Sequence, residues 1–268
     1  MNFAFMSFST PELSLEDMLG LARRLGYNAV EPRAQCGHQH GIELDTTAAQ
    51  RDAISKIVDA SSIRLCCLAV SCRYADPADR QEHLADTRKA IDLAGDLNIP
   101  RLRVFGGGIG EGIERQQAIE DVANALRSVA DQAAERSVTL CLETHDDWCD
   151  PDHVAAIMKQ ADHPNIAVNW DIMHPVRVAG RTMDEAYDTL KPWIRHVHVH
   201  DGIQHDDGKS ELVPIGQGVV DHQRGLELLH GMKYDGSISG EWINWQPYEE
   251  HLPRELKLLR EIEAAVTA

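Results

Sequence analysis

Short apolar runs alternate along the chain with longer stretches in which apolar residues recur every three or four positions. The runs predict strands at 2–8, 28–31, 63–70, 101–105, 138–143, 165–170, 194–199 and 236–242. The longer stretches predict helices at roughly 14–25, 47–60, 79–97, 114–136, 151–161, 182–190, 220–232 and 248–265. Ser14-Leu-Glu-Asp and Asp150-Pro151 place a small polar side chain just ahead of two of these helices, where it can accept from a first-turn amide. Strands separated by helices must pair in parallel, because a tight turn can only join antiparallel neighbours. No linker rich in Pro, Gly and Ser interrupts the 268 residues. The expected fold is therefore α/β, a (β/α)8 TIM barrel forming one domain over 1–268.

A doubly wound open sheet is the competing architecture. It would place phosphate-binding glycines at the first strand-to-helix turn, and that turn, Phe8-Ser-Thr-Pro11, has none. The glycine-rich run Gly106 to Gly112 fits neither phosphate-loop spacing and reads as a flexible loop at the barrel mouth.

Composition narrows the functional classes. Hydrophobic residues at 43% suffice for a large core, and a net charge of −17 leaves no basic face for nucleic acid or an anionic membrane. The first residues lack the basic start of a targeting peptide, and no apolar run reaches spanning length. Six cysteines without a C-x-x-C pair fit reduced, structural thiols in a cytoplasmic protein.

The chemistry lies in the last four strands. Side chains alternate along a strand, so Thr139, Cys141 and Glu143 share one face and leucines the other. By the same alternation Ala167, Asn169 and Asp171 face together, as do His196, His198 and His200, and Ser237, Ser239 and Glu241. These polar faces must point into the barrel, because the apolar faces pack under helices. Each strand thus brings a metal-binding side chain to the C-terminal end, where barrel active sites sit. Converging carboxylates without a cation would repel one another and be costly to desolvate. The oxygen-rich donor set suits one divalent ion, Mn²⁺, Mg²⁺ or Co²⁺, better than a structural zinc.

Leu142-Glu143-Thr-His145, Asn169-Trp-Asp171-Ile-Met-His174, His196-Val-His198-Val-His-Asp201, Pro214-Ile-Gly-Gln-Gly218 and Tyr234 to Trp242 together resemble the xylose-isomerase-like barrel superfamily. That superfamily includes ketose 3-epimerases, hydroxypyruvate isomerases, inosose dehydratases and apurinic endonucleases. The resemblance implies that Glu143, Asp171, His198 and Glu241 ligate the metal and that Glu143 and Glu241 are also the catalytic acid/base pair. It implies a substrate contact for His174. His145, Trp148, His200 and Arg103 are further candidates for binding substrate, with Arg103 able to offset carboxylate charge if it points inward. Trp148, Trp242 and Trp245 read as exposed near the mouth, able to cover a site or meet a second copy in a homo-oligomer. Glu31 is placed to bond a hydroxyl, His196 reads as a buried core histidine, and His38-Gln-His40 as an exposed loop.

Such a site suits proton abstraction next to a carbonyl on a small polyhydroxy ketone or aldehyde. Return of the proton gives epimerisation or isomerisation, and loss of a β-hydroxyl gives dehydration by a lyase. The free-ketose epimerases resemble one another in a glutamate and an arginine six residues beyond two of the ligands. This chain has Cys149 and Gln204 there. The apurinic endonucleases carry further histidines and an Asp-x-His that residues 201–218 lack. No nucleic acid or membrane partner is expected.

Overall fold

In the computed structural model, which describes residues 1–205 and 210–268, parallel pairing passes from strand to strand until it nearly closes a ring. In chain order the elements are β1 (Asn2–Met6), α1 (Leu15–Leu25), β2 (Ala29–Glu31), α2 (Ala48–Asp59), β3 (Arg64–Leu65), β4 (Leu68–Ala69), α3 (Arg80–Asp96) and β5 (Arg101–Val104). Then follow α4 (Arg115–Glu135), β6 (Thr139–Glu143), α5 (Pro151–Ala161), β7 (Ile166–Asp171), α6 (Met173–Arg177), α7 (Met183–Leu190) and β8 (Ile194–Val199). The chain ends with β9 (Asp201–Gln204), β10 (Ser210–Val213), α8 (His222–Gly231), β11 (Ser237–Gly240) and α9 (Tyr248–Thr267).

The sheet order is β3-β2-β1-β11-β8-β7-β6-β5-β4. Its two ends, β3 and β4, are the halves of the run predicted at 63–70, interrupted at Cys66 and Cys67. One broken stave therefore bridges the two edges, and a parallel bridge from Arg33 to Ala69 narrows the gap. The result is the expected single-domain (β/α)8 barrel. Closure leaves few free edge amides to recruit another chain.

The helices start where the polar caps stand. Ser14 Oγ accepts from the Asp17 amide at 3.1 Å, and Thr47 and Thr182 form reciprocal boxes with Gln50 and Glu185. The outward strand faces, Leu140, Leu142, Val168, Val197 and Val199, are buried under them. Pattern reading predicts neither α6 nor the β9–β10 hairpin. At five residues with an internal proline, α6 is too short to show helical periodicity, and the hairpin strands are mostly polar. All six cysteines are free thiols, and only Cys36 is exposed. Among the described residues no helix is long and apolar enough to cross a membrane.

Candidate metal centre

Strand register brings the candidate ligands together. Asp171 at the end of β7 pairs with His198 of β8, and His198 pairs in turn with Ser239 of β11, two residues before Glu241. On the other side, Glu143 at the end of β6 pairs with Asn169 of β7. One donor atom from each of Glu143, Asp171, His198 and Glu241 lies within 4.8 Å of all the others, and all four residues are buried. Thr144 locks the neighbouring strand ends: its hydroxyl donates to the Asp171 carbonyl and accepts from the Asp171 amide, both at 3.0 Å.

His198 stands at the centre. Its Nδ1 lies 2.8 Å from Glu143 Oε1 and 3.3 Å from Glu241 Oε2, while Nε2 lies 3.1 Å from Glu31 Oε1. Burial alone would lower the His198 pKa, but Glu31, Glu143 and Glu241 outweigh it and hold it well above its ordinary value. Burial raises the Glu241 carboxyl, yet His198 and Arg103 bring it down to about 2. Asp171 is likewise held low against burial by His200 and His174. Its Oδ1 accepts from the Met173 and His174 amides at 2.9 and 3.2 Å.

The donor set fits a divalent cation. Glu143 Oε2 and Asp171 Oδ2 are buried, with Arg103 Nε at 3.2 Å from the first and His200 Nε2 at 2.8 Å from the second, so both oxygens already draw positive charge toward them, as a bound cation would supply it. Three oxygens and an imidazole nitrogen are the donors a borderline-hard ion takes. Glu31 completes the arrangement: by accepting the Nε2–H of His198 it would leave Nδ1, once a cation displaces its proton, to serve as the nitrogen donor beside Glu143 and Glu241.

The other candidates divide. Arg103 points inward and is 1% exposed, with Nε 3.2 Å from Glu143 and Nη2 3.8 Å from Glu241. His200 Nε2 lies 2.8 Å from Asp171 Oδ2, and the His174 ring packs edge-on against both His200 and His145. These three histidines form a wall beside Asp171. Burial lowers His145, but the bond to Asp146 and the charge of Glu143 carry it up to about 9. His196 is fully buried, with Nε2 2.8 Å from Glu31.

Four expectations need correction. Trp148 and Trp242 are not exposed but completely buried, and only Trp245 is partly open. The Trp148 indole donates to the Gly107 carbonyl at 2.8 Å and fills the space a Gly106 side chain would take. Glu31 is buried and bonded to two histidines, which occupies the oxygens that were to meet a hydroxyl. His40 is also buried, its Nδ1 accepting from the Ile42 amide at 3.0 Å. The glycine-rich run after β5 is tied down as well: the Gly106 carbonyl accepts from the amides of Tyr74 and Ala75. Sequence reasoning passed over Thr144 and Arg33. The only trace of Arg33 is its place two residues beyond Glu31.

The family model for the xylose isomerase-like TIM barrel matches residues 19–262. The chain belongs to that family. Within reach of this xylose isomerase-like barrel is an L-ribulose-5-phosphate 3-epimerase of Salmonella heidelberg, 28% identical over 81% of this chain and 78% of the relative. A 3-dehydroshikimate dehydratase of Bacillus anthracis is 22% identical over 68% of this chain and 69% of its own length. A crystal structure of a xylose isomerase-like TIM barrel protein from Mycobacterium smegmatis, in complex with magnesium, superposes with a TM-score of 0.75 at 16% identity. That superposition covers 100% of this chain and 98% of the other. Epimerases and a dehydratase thus stand among the relatives of this barrel.

Proposed function

We propose that this barrel is a divalent-metal-dependent isomerase or epimerase of a small sugar or keto-sugar, working by proton abstraction next to a carbonyl. The observation that carries the reading is the buried convergence of Glu143, Asp171, His198 and Glu241 within 4.8 Å. These four residues would hold the cation, of the Mn²⁺, Mg²⁺ or Co²⁺ kind. When bound, such an ion polarises the substrate carbonyl and offsets the charge that builds as the enediolate forms. Glu143 is the carboxylate able to take the α-proton, its Oε1 facing His198 and its Oε2 facing Arg103. Glu241 stands across His198 from Glu143 and would deliver a proton at the second position. Arg103 lies against both glutamates, and this contact fixes their orientation. His174 and His200 are placed beside Asp171, where substrate hydroxyls would meet their ring nitrogens.

A second reading, dehydration of a keto-sugar or keto-cyclitol by a lyase, draws support from Cys149 and Gln204 at positions where the free-ketose epimerases share a glutamate and an arginine. The Cys149 thiol is buried and contacts the Asp146 carbonyl, and Gln204 accepts from Arg177.

One experiment tests both. Candidate ketoses and keto-acids are incubated in D₂O with metal-loaded protein, and the product is weighed by mass spectrometry. Unchanged composition plus deuterium next to the carbonyl identifies isomerase or epimerase chemistry; loss of one water identifies the lyase. Glu143→Gln and Glu241→Gln should each slow turnover by roughly 10²–10⁴, with metal content measured alongside. Wild-type rates in both variants with metal retained would place the chemistry elsewhere.

A further inference from the structure

Two buried arginines meet the short segment 69–71, and they differ in one respect. Arg103 Nη1 donates to the Val70 carbonyl at 3.0 Å, and its charge is met by Glu143 and Glu241. Arg33 donates from Nη1 to the carbonyls of Ala34 and Ala69, and from Nη2 to the Ser71 hydroxyl. It is 5% exposed, yet among the described residues no carboxylate pairs with it. Its Nε is buried and without a hydrogen-bond partner. Carbonyl and hydroxyl oxygens satisfy donors but carry no net charge, so the cation itself stays uncompensated.

The position is not remote from the chemistry. Arg33 lies two residues past Glu31, just beyond the end of β2, where it bridges to Ala69 and feels both Arg103 and Glu241. Its guanidinium carbon lies 5.9 Å from the centre of the Phe8 ring, and its amide donates to Ser7 Oγ at 2.9 Å. Burial and the like charge of Arg103 bring it down to about 10, well below an ordinary arginine. An arginine serving only to tie backbone carbonyls would be cheaper to keep at the surface, with water around its charge.

We propose that Arg33 is the counter-charge for an anionic group on the substrate, a carboxylate or a phosphate monoester. The site then takes a keto-acid or a phosphorylated ketose in preference to a neutral sugar. This inference rests on the carbonyl chemistry proposed above, because it assumes that the same ligand reaches the metal centre. A guanidinium binds either anion through its N–H donors, and the buried Nε–H is the donor that the protein leaves without a partner.

The test compares three small α-hydroxy carbonyl probes by calorimetry on metal-loaded protein: dihydroxyacetone, dihydroxyacetone phosphate and hydroxypyruvate. The wild type should bind at least one anionic probe roughly 10- to 100-fold more tightly than the neutral one. Which anion gains separates phosphate from carboxylate. Arg33→Met should erase that preference while leaving dihydroxyacetone affinity and metal content unchanged. Arg33→Lys, which keeps the charge, should retain part of it and guards against a Met variant that fails to fold. A wild type without preference for either anion overturns the proposal, as does an equal loss for all three probes in Arg33→Lys. Anion binding that depends on Arg33 while dihydroxyacetone does not bind at all would uphold the anion site and overturn the carbonyl chemistry instead. Failure of every probe to bind the wild type would overturn both.

Discussion

From β6 onward, the staves of the barrel deliver the four donors: Glu143, Asp171, His198 and Glu241 all come from β6, β7, β8 and the residue after β11. From β1 to β5 the staves add none of these four. They instead supply Glu31, Arg33 and Arg103, which lean on the donor set or stand beside it. One half therefore holds the candidate ligands, and the other half sets their charge, tautomer and surroundings. The difference follows from chain distance. The second half places each donor at a strand end whose neighbour in sequence order is also its neighbour in space, so one register fixes the cluster. From the first half, Glu31 reaches His198 across the barrel, 167 residues away, while Arg103 reaches Glu143 from β5, the strand beside β6.

The sharpest way to break this division is to remove a donor from the second half. Asp171→Ala and His198→Ala should each lower affinity for a divalent ion by more than roughly 100-fold, above the range usual for supporting residues. Protein purified without chelator should carry about one ion per chain, and both variants should lose it. Full occupancy in both variants, read by elemental analysis, would dissolve the division between the halves.

A smaller effect belongs to the first half. Glu31→Gln keeps the shape of the side chain but removes the charge that Nε2 of both His196 and His198 face. Loss of such a supporting partner should cost roughly 10- to 100-fold in metal affinity. The measurement is competitive chelation, with circular dichroism to confirm the fold. No change in affinity would mean that Glu31 does not set the His198 tautomer.

The same contrast explains what the sequence made legible. In the second half a carboxylate or histidine stands at or near the end of a strand whose alternate residues are leucine, valine, tryptophan, isoleucine or glycine, so period-two reading alone turns it inward. Four such strands in succession mark both the fold and the candidate donors. In the first half Glu31 ends a strand of three residues, too short for alternation to show. Its partners are invisible until the barrel closes, so a buried second carboxylate looks like a solvent-facing one. The tryptophans misled for a related reason. A large aromatic in a loop beyond a strand end reads as open at the mouth, but Gly106, lacking a Cβ, leaves room for the Trp148 ring, whose N–H donates to the Gly107 carbonyl. The polar hairpin β9–β10 left no apolar pattern to read, and Asp201, which gathers it, is one aspartate among many. Only the structure shows its carboxylate accepting from the amides of Gly216, Gly218 and Val220.

The smallest effect tests the seam where the halves meet. Gly106 follows β5, and Trp148 follows β6, so their contact joins a first-half loop to a second-half loop. A Cβ on Gly106 would stand 2.2 Å from the indole, and Trp148 is fully buried with its N–H committed to Gly107. The ring cannot swing aside without breaking that bond or opening the core. Overpacking of this kind costs about 1–3 kcal/mol, which for a chain near this size lowers Tm by roughly 2–12 °C. Gly106→Ala should therefore melt early in calorimetry, while the four donors stay in register on their strands. Metal affinity should fall far less than in Glu31→Gln, because no side chain touching the donors has changed. An unaltered Tm would show that the seam yields freely and that the two loops are not packed as one unit. A loss of metal as deep as that of Asp171→Ala would show that the seam, rather than strand register, holds the donors together.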